Sequence, residues 1–452
     1  MSFWKDPSKR ARVVLLFAGS LLTLRLIRGR SLRTKRQSGT ARELWIIDQY
    51  AVPPSLAGFT RQHEHAAILA QLGWRTTIFA SPFEPKRQVM ERPVSILHPK
   101  VEQSEQGTPF VWLHSVPYSG NNWRRYLNMV SFLVICILAG FRRRAPDVIL
   151  ASSPHLLAGL AGWILAKWHR VPFVLEIRDL WPESLVQLGL SNKPVIKTLE
   201  TLERFLYTRA NLIVALTEGI DRSIRAKGFD RRNIVMVPNA SRRPKPLVPE
   251  QRDSMRNSLG WGHSTVAIWI GAHGPANGLD VIIDAARLLV EKSNLLFVLV
   301  GGGSDKPRLM GRARDLRNVQ FLDPVPKAAV DDYLRAADIG LLVHRDTAAV
   351  KGARPNKLFD YMAAALPIVI NIDGEARRLT EEAGAGMYVP AERPDALAAA
   401  VLELYEHADR RSRLGACGFE HVTHAHSRED TVMKLQLALN DVLDRWSDQH
   451  AN

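Results

Sequence analysis

Lys357 stands where a helix normally carries an acid. In "KGARPNKLFDYMAAALPIVI", Lys351 to Ile370, the spacing of Leu358, Phe359, Met362 and Ala365 predicts an apolar helix face, with Asn356 as N-cap and Pro367 as terminator. A helix N-terminus carries roughly half a positive charge and favours Asp or Glu. Lys357 as first helical residue, with Arg354 and Lys351 just upstream, therefore implies an anion from outside the chain. Asp360, three residues on, lies on nearly the same face, either to bind a polar ligand beside that anion or to pair with Lys357 for about 0.2–0.5 kcal/mol.

Glycine turns strengthen the case for an anion. Gly271, Gly274 and Gly278 in "GAHGPANGLD", and Gly301, Gly302 and Gly303 in "VGGGSDKP", each follow an apolar, strand-like run. Such turns let backbone amides approach a phosphate, and the next helix N-terminus adds its partial charge. Taken singly, each loop reads equally as glycine supplying positive φ. With Lys357 and Arg354 they would bring three strand ends to one cleft, which suits the diphosphate of a nucleotide, leaving Asp360 for the ribose hydroxyls.

The elements that must hold these residues alternate along the chain. "LWIID", "TTIFA", "DVILA", "FVLEI", "NLIVAL" and "IVMVP" read as strands in the first half, with helical stretches such as Phe59 to Leu72 between them. "VAIWIG", "LLFVLVG", "NVQFL", "IGLLV", "PIVIN" and "GMYV" form a second set, separated by helices near Leu279 to Lys292, Ala328 to Ala337 and Pro394 to His407. Apolar strands joined by helices mean parallel sheets covered on both faces. The expected fold is α/β: two Rossmann-like doubly wound domains facing a cleft, with ligands beyond the carboxyl ends of the strands. The expected division is a basic tail over 1–42, a first domain over 43–240, a second over 241–425 and a C-terminal helix over 426–452.

Charge is concentrated at one end. The formal net charge is +16, but the first 42 residues hold eleven Lys or Arg against Asp6 alone, leaving +6 for the other 410. A basic tail reads as a contact with an anionic membrane surface at least as well as with nucleic acid, and a membrane surface, not nucleic acid, is the expected partner. Val13 to Leu24 is apolar but short of the ~20 residues a span requires, and "RLIRGRSLRTKR" follows it where a signal peptide has small cleavage-site residues. A cytoplasmic, peripheral position on the inner face of the membrane is expected. Met129 to Phe141, apolar on nearly every side, lies between Arg124, Arg125 and Arg142 to Arg144, and reads as a buried helix or a membrane-docking one. Cys136 and Cys417 are the only cysteines and fall in different halves, which indicates neither a disulfide framework nor a cysteine metal site.

"RPNKLFDYMAAALPIV", "GAHGPANGLDVIIDAA", "VLVGGG", "YLRAADIGLLV" and, in the first half, "EIRDLWPESL" together resemble glycosyltransferase family 4, with the nearest likeness to amino-sugar transferases of bacterial surface-polysaccharide assembly. The likeness runs from about Glu43 to Val422. It implies the GT-B architecture, a nucleotide-sugar donor on the second domain, an acceptor on the first, and retention of anomeric configuration with neither metal nor cofactor. No Asp-x-Asp triplet occurs in the chain. Many members carry two Glu eight positions apart; here Gly352 and Asp360 stand in their places. The Arg and Lys that often grip the diphosphate after the first strand of the second domain are replaced by His273 and Asn277.

The resemblance implies donor contacts from Gly58, Gly271, His273, Gly274, Gly302, Arg354, Lys357, Leu358 and Asp360. In "PPSLAGFTRQHEHA", Gly58 precedes a helix that carries Arg61 and His65 on its first turns. Glu176, Arg178 and Asp179 end the strand in "FVLEIRD", where Arg61, Glu176 and Arg178 would bind the acceptor and Asp179 would serve catalysis with Lys357; capping and an Arg–Asp pair are the structural alternatives. His155 in "ASSPHLLAG" would meet the reacting sugar or proton, or else cap a helix. The expected activity is retaining transfer of a hexosyl unit or N-acetylated amino sugar, from a UDP-sugar foremost, to a lipid-linked or saccharide acceptor. The alternatives are a nucleotide-sugar epimerase of the same architecture and a non-catalytic membrane-associated scaffold.

Overall fold

The computed structural model describes residues 41–84, 89–96, 98–119, 123–153, 155–187, 191–230, 233–241, 249–425 and 427–450. The expected apolar segment Val13 to Leu24, and all of the basic tail but its last two residues, lie outside the described residues.

The first domain is built on strands β1 (Arg42–Ile47), β2 (Trp74–Ala80), β5 (Lys100–Gln103), β6 (Pro109–Trp112), β7 (Val148–Ser152), β8 (Phe173–Ile177), β9 (Leu212–Ala215) and β10 (Ile234–Met236); β3 (Phe83–Glu84) and β4 (Val89–Met90) form a separate hairpin. Their order is β10-β9-β8-β7-β1-β2-β6-β5, parallel except for the β5–β6 pair. Side chains alternate across β1. Leu44 and Ile46 join Ala66 and Leu69 of helix α1 (Arg61–Gln71) in one core. Trp45 and Ile47 join Phe132 and Cys136 of α2 (Trp123–Phe141), and Ala161 and Leu165 of α3 (Leu156–His169), in the other. Both faces are covered, so the strands read as unbroken apolar runs.

The second sheet has the order β13-β12-β11-β14-β15-β16, all parallel: β11 (Thr265–Ile270), β12 (Leu295–Val300), β13 (Val319–Leu322), β14 (Ile339–Leu342), β15 (Ile368–Ile370) and β16 (Gly386–Tyr388). Val266 and Ile268 face one core, Ala267 and Trp269 the other. Helices α4 (Lys327–Ala336) and α5 (Asn356–Ala363) pack against the first of these, through Leu334 and through Leu358, Phe359 and Met362. All twelve expected strands are present. β5 and β6 were not expected: β5 is an exposed, polar edge strand, and β6 opens on Pro109.

The last helix, α6 (Arg428–His450), returns to the first domain. Val432, Leu435, Leu439 and Val442 join Leu44, Ala66 and Leu69 in one core. Arg428 anchors its start, with Nη2 donating to Ala240 O at 2.7 Å and Nη1 lying 2.5 Å from Glu64 Oε2.

Helix α2 is buried along one face and exposed along the other. Among the described residues it is the one helix long and apolar enough to cross a membrane, yet Phe132, Ile135, Cys136 and Ala139 are buried against the sheet and α3. Its other face leaves Trp123, Leu127, Val130, Val134 and Leu138 exposed. Leu439→Ala should lower stability by about 2–5 kcal/mol, read as a fall in the urea midpoint; a midpoint unchanged from wild type would mean that α6 is not part of the first domain's core.

Candidate active site

A cleft of about 860 Å³ opens between the carboxyl ends of the two sheets, inside the ~300–1,000 Å³ usual for ligand sites. Gly271, Gly302, Arg354, Lys357 and Asp360 line it from the second domain, and Gly58, Arg61, Arg178 and Asp179 from the first.

Lys357 sits where its misplaced charge is useful. Helix α5 is capped by Pro355, whose extended backbone (φ −61°, ψ 138°) fills the N-cap position, so Asn356 is the first helical residue and does not cap as expected. The Lys357 ammonium lies 4.4 Å from the Trp269 ring centroid, a cation–π contact. Its side chain crosses the turn after β11: a Cβ on Gly271 would stand 2.4 Å from Lys357 Cε. The turn after β12 is equally close, since a Cβ on Gly301 would meet Gly271 O at 1.8 Å.

Four expected donor contacts come out differently. His273 is fully buried and off the cleft wall; its N–H donates to Gly302 O at 2.8 Å, and its ring is tucked beside Gly301. Burial, with help from Lys306, depresses its pKa to about 4, so the ring is neutral. Gly274 caps the short turn Pro275–Asn277 and also lies off the wall, whereas Asn277 lines it, its amide donating to Ala272 O at 2.7 Å. Leu358 is fully buried in the core, and its N–H donates to Pro355 O at 3.1 Å. Arg354 reaches the wall, but its guanidinium is paired with buried Glu375 and lies 3.7 Å from Glu218, so its charge is already matched within the protein.

Asp360 faces the cleft and pairs with Lys327, Oδ2 to Nζ 2.6 Å. Sequence reasoning missed Lys327. The signal was there, because Lys327 is the first residue of α4 and repeats the electrostatic misfit of Lys357. Carbonyls of the first domain meet this helix end: Lys327 N–H donates to Leu56 O at 3.4 Å and Ala328 N–H to Pro54 O at 3.2 Å.

On the first domain, the expected acceptor residues form a buried ionic network. Arg61 donates through Nε to Glu176 at 3.1 Å, through Nη1 to Pro238 O and Asn239 Oδ1, and through Nη2 to Val237 O at 2.7 Å. Glu176 also accepts from Ser152 Oγ at 2.5 Å and from Gln62. Burial alone would raise the Glu176 pKa; Arg61 and Arg178 more than offset it and the carboxyl titrates below its usual range. Arg61 and Glu176 are thus occupied in tying α1 to β8 and to the end of β10. Buried His65 lies beside Arg61. Arg178 donates to Asp48 at 2.9 Å while its guanidinium lies over Phe59 on the cleft side. Asp179 lines the cleft and is exposed; the protein around it raises its pKa and Arg178 opposes the rise. Gly58 permits the 53–58 loop to close on Val52, whose Cγ2 would lie 2.8 Å from an added Cβ.

His155 is not in this cleft. It is the N-cap of α3: Nδ1 accepts from Ala158 N–H at 3.2 Å, so Nε2 carries the proton and donates to Gln49 Oε1 at 2.7 Å. Burial, with the Arg125 charge, depresses its pKa to about 3. Its ring instead lines a second, smaller cavity of about 230 Å³.

Family models match both halves of the chain. Residues 60–240 match the "Glycosyl transferase 4-like domain" and residues 264–407 "Glycosyl transferases group 1". The chain belongs to glycosyltransferase family 4. It is 26% identical over 272 residues to a probable glycosyltransferase, WbjE, of Pseudomonas aeruginosa, covering 59% of this chain and 68% of that one. A D-inositol 3-phosphate glycosyltransferase of Corynebacterium glutamicum is 24% identical over 72% of this chain and 80% of its own. Among solved structures, sucrose-phosphate synthase from Thermosynechococcus elongatus superposes with a TM-score of 0.69 at 14% identity, covering 89% of this chain and 100% of that one. HepE of Anabaena does so with 0.65 at 16%, covering 88% and 99%. These neighbours share the GT-B fold, and the chain is a glycosyltransferase of that fold.

Two predictions follow from the buried groups. Arg61→Ala should cost about 3–5 kcal/mol of stability by stranding the Glu176 charge, seen in the denaturant midpoint; an unchanged midpoint with weakened acceptor binding would restore its ligand role. His155 and His273 stay neutral in the fold down to about pH 3 and pH 4, while unfolded histidine takes up a proton near 6.5. The unfolded state therefore binds more protons between pH 6.5 and 4, and stability falls with pH there by about 1.4 kcal/mol per unit for each histidine. His155→Asn, which keeps a capping side chain, should flatten that fall by one histidine's share in urea titrations at pH 7 and pH 5; an unaltered pH slope would contradict it.

Proposed function

We propose that the chain transfers a sugar from a UDP-linked donor to a lipid-linked acceptor at the inner face of the membrane, with retention of configuration. The observation that carries this reading is the Lys357 ammonium, held over the Gly271 turn at the N-terminus of α5 and facing the cleft. HepE was solved with UDP-glucose, and WaaG, another structural neighbour, is named as acting in lipopolysaccharide biosynthesis. These support a UDP donor and a surface-polysaccharide product. The resemblance of "EIRDLWPES" and "PNKLFDYMA" to the amino-sugar transferases of the family favours an N-acetylated amino sugar. The net +10 of the first 42 residues and the exposed apolar face of α2 favour a membrane-bound acceptor.

In this reading the bond from the anomeric carbon to the β-phosphate oxygen breaks, and its electron pair leaves with UDP. Preorganised positive charge at a leaving group is usually the largest catalytic contribution. Lys357, the α5 N-terminus and the amides around Gly271 and Gly302 supply it without relying on Arg354. The acceptor hydroxyl attacks from the face that the phosphate leaves, and its proton passes to the departing phosphate oxygen. Asp360, steadied by Lys327, accepts from the ribose hydroxyls. Asp179 holds the acceptor hydroxyl.

Calorimetric titration tests the donor assignment. UDP should bind in preference to GDP, and Lys357→Ala should weaken UDP by about 10–100-fold, the equivalent of a charge-assisted hydrogen bond of ~1.5–3 kcal/mol. Equal affinity of wild type and variant would remove the anion site from this lysine. With a donor and acceptor in hand, NMR of the product should show the donor's anomeric configuration; inversion would contradict the mechanism, and an altered donor sugar without acceptor would point to an epimerase.

A further inference from the structure

A further cavity, of about 380 Å³, lies on the second domain, inside the ~300–1,000 Å³ usual for ligand sites. Val281 lines it, and that residue belongs to the core of Ala267 and Trp269, on the face of the sheet opposite α4 and α5. His344, just beyond β14, is the one described residue that lines both this cavity and the main cleft. A ligand here would stand on the other side of His344 from the nucleotide.

Two groups on its wall have hydrogen bonds to give. Asn371, just beyond β15, is 4% exposed. Its Oδ1 accepts from His344 N–H at 2.7 Å, which settles the orientation of the amide, and its Nδ2 donates to no described residue. A buried amide normally finds a partner for each end. Arg345 is held by the turn after β11: its N–H donates to Ala276 O at 3.1 Å and its Nε to Pro275 O at 2.8 Å. Gly278, at φ +60°, makes room for that side chain, since a Cβ there would stand 3.0 Å from Arg345 Cγ. The stem of the arginine is thus fixed, while neither Nη donates to a described residue.

Charge decides the class of ligand. Asp280, Asp284 and Glu392 line the cavity together with Arg308, Arg312 and Arg345, so the wall carries as many acids as arginines. Arg308 donates to both oxygens of Asp280 at 2.7 Å, which holds that carboxyl below its usual range, and Arg312 donates to Asp284 at 2.6 Å. A bare anion or a bare cation would meet as much repulsion as attraction here. A neutral hydroxyl gains from both kinds of group, because it can accept from a guanidinium or amide and donate to a carboxylate. Val281 and Pro394 add an apolar patch for the C–H face of a ring. Donors and acceptors of balanced charge around such a patch suit a sugar.

We infer that this cavity is a second carbohydrate site, which takes one neutral sugar unit that is not part of the nucleotide donor. Hydroxyls on one edge of the ring accept from Asn371 Nδ2 and Arg345, and those on the opposite edge donate to Glu392. The inference rests on the transferase reading for the role of the site, but not for its location. Holding a glycan at a second point raises the effective concentration of that chain at the cleft.

The test uses the full chain and the methyl glycosides of glucose, galactose, mannose and N-acetylglucosamine, titrated by saturation-transfer NMR with UDP present, while UDP and UDP-glucose are titrated calorimetrically. Asn371→Asp keeps the acceptor for His344 N–H and turns the unused donor into an acceptor. Arg345→Gln, at an exposed position, removes the guanidinium and keeps the test open should Asn371→Asp fold poorly. At least one glycoside should bind the wild type, and each folded variant should raise its Kd at least tenfold while leaving the Kd for UDP and for UDP-glucose within twofold. A protein that binds UDP but no glycoside, or glycoside affinity unchanged in the folded variants, would overturn the site and spare the transferase reading. Weaker UDP-glucose with unchanged UDP would make the cavity the donor's own sugar pocket, which also overturns the inference. Glycoside binding lost in the variants of a protein that binds neither nucleotide would uphold the site and remove the transferase reading.

Discussion

Everything on the donor side depends on two turns that meet through bare backbone. The carboxyl ends of β11 and β12 lie so close that a methyl group on Gly301 would occupy the space of Gly271 O, and one on Gly271 would displace the Lys357 side chain. Parallel strands deliver both turns to the same edge of the sheet. Glycine lets that edge become concave, and the lysine at the start of α5 then crosses it. Its charge rests on Trp269, an aromatic face that attracts a cation. Arg354, only three residues earlier, is paired with the buried carboxylate of Glu375.

The first domain answers with rigidity rather than free charge. Arg61–Glu176, Arg178–Asp48 and Arg428–Glu64 are ion pairs beneath or beside the cleft, and their members come from α1, α6 and the ends of β1 and β8. Such pairs add little net stability over an apolar core, but losing one partner is expensive. They hold the loops at the strand ends in register. The smaller cavity at His155 and the cleft share the rim formed by residues 57–59, so a loop fixed on one side shapes both spaces.

The fold was legible because strands buried on both faces leave continuous apolar runs, and twelve of them could be read in order. The β5–β6 pair escaped because Lys100–Gln103 is polar and exposed, with nothing to distinguish it from a loop. The place of Lys357 on the cleft wall was legible from an electrostatic misfit, and Lys327, on the same wall, carried the same misfit unread. His273 was misplaced because a turn's sequence does not say which way its ring points; the geometry of the glycine turns carries it inward. Arg354 and Arg61 were misread because their partners are distant in sequence: Glu375 is 21 residues away and Glu176 is 115. Long-range pairing, not local pattern, separates a ligand-binding arginine from a structural one.

The most direct measurement of the central claim is phosphorus NMR of UDP titrated with wild-type protein and with Gly271→Ala. The added methyl would collide with the Lys357 side chain, and a side chain at the Gly271 φ of +149° also strains the turn, so the ammonium should be pushed from its place. The account predicts a saturable perturbation of the β-phosphate resonance in the wild type that is lost in a folded Gly271→Ala protein. The same perturbation and affinity in both would contradict it.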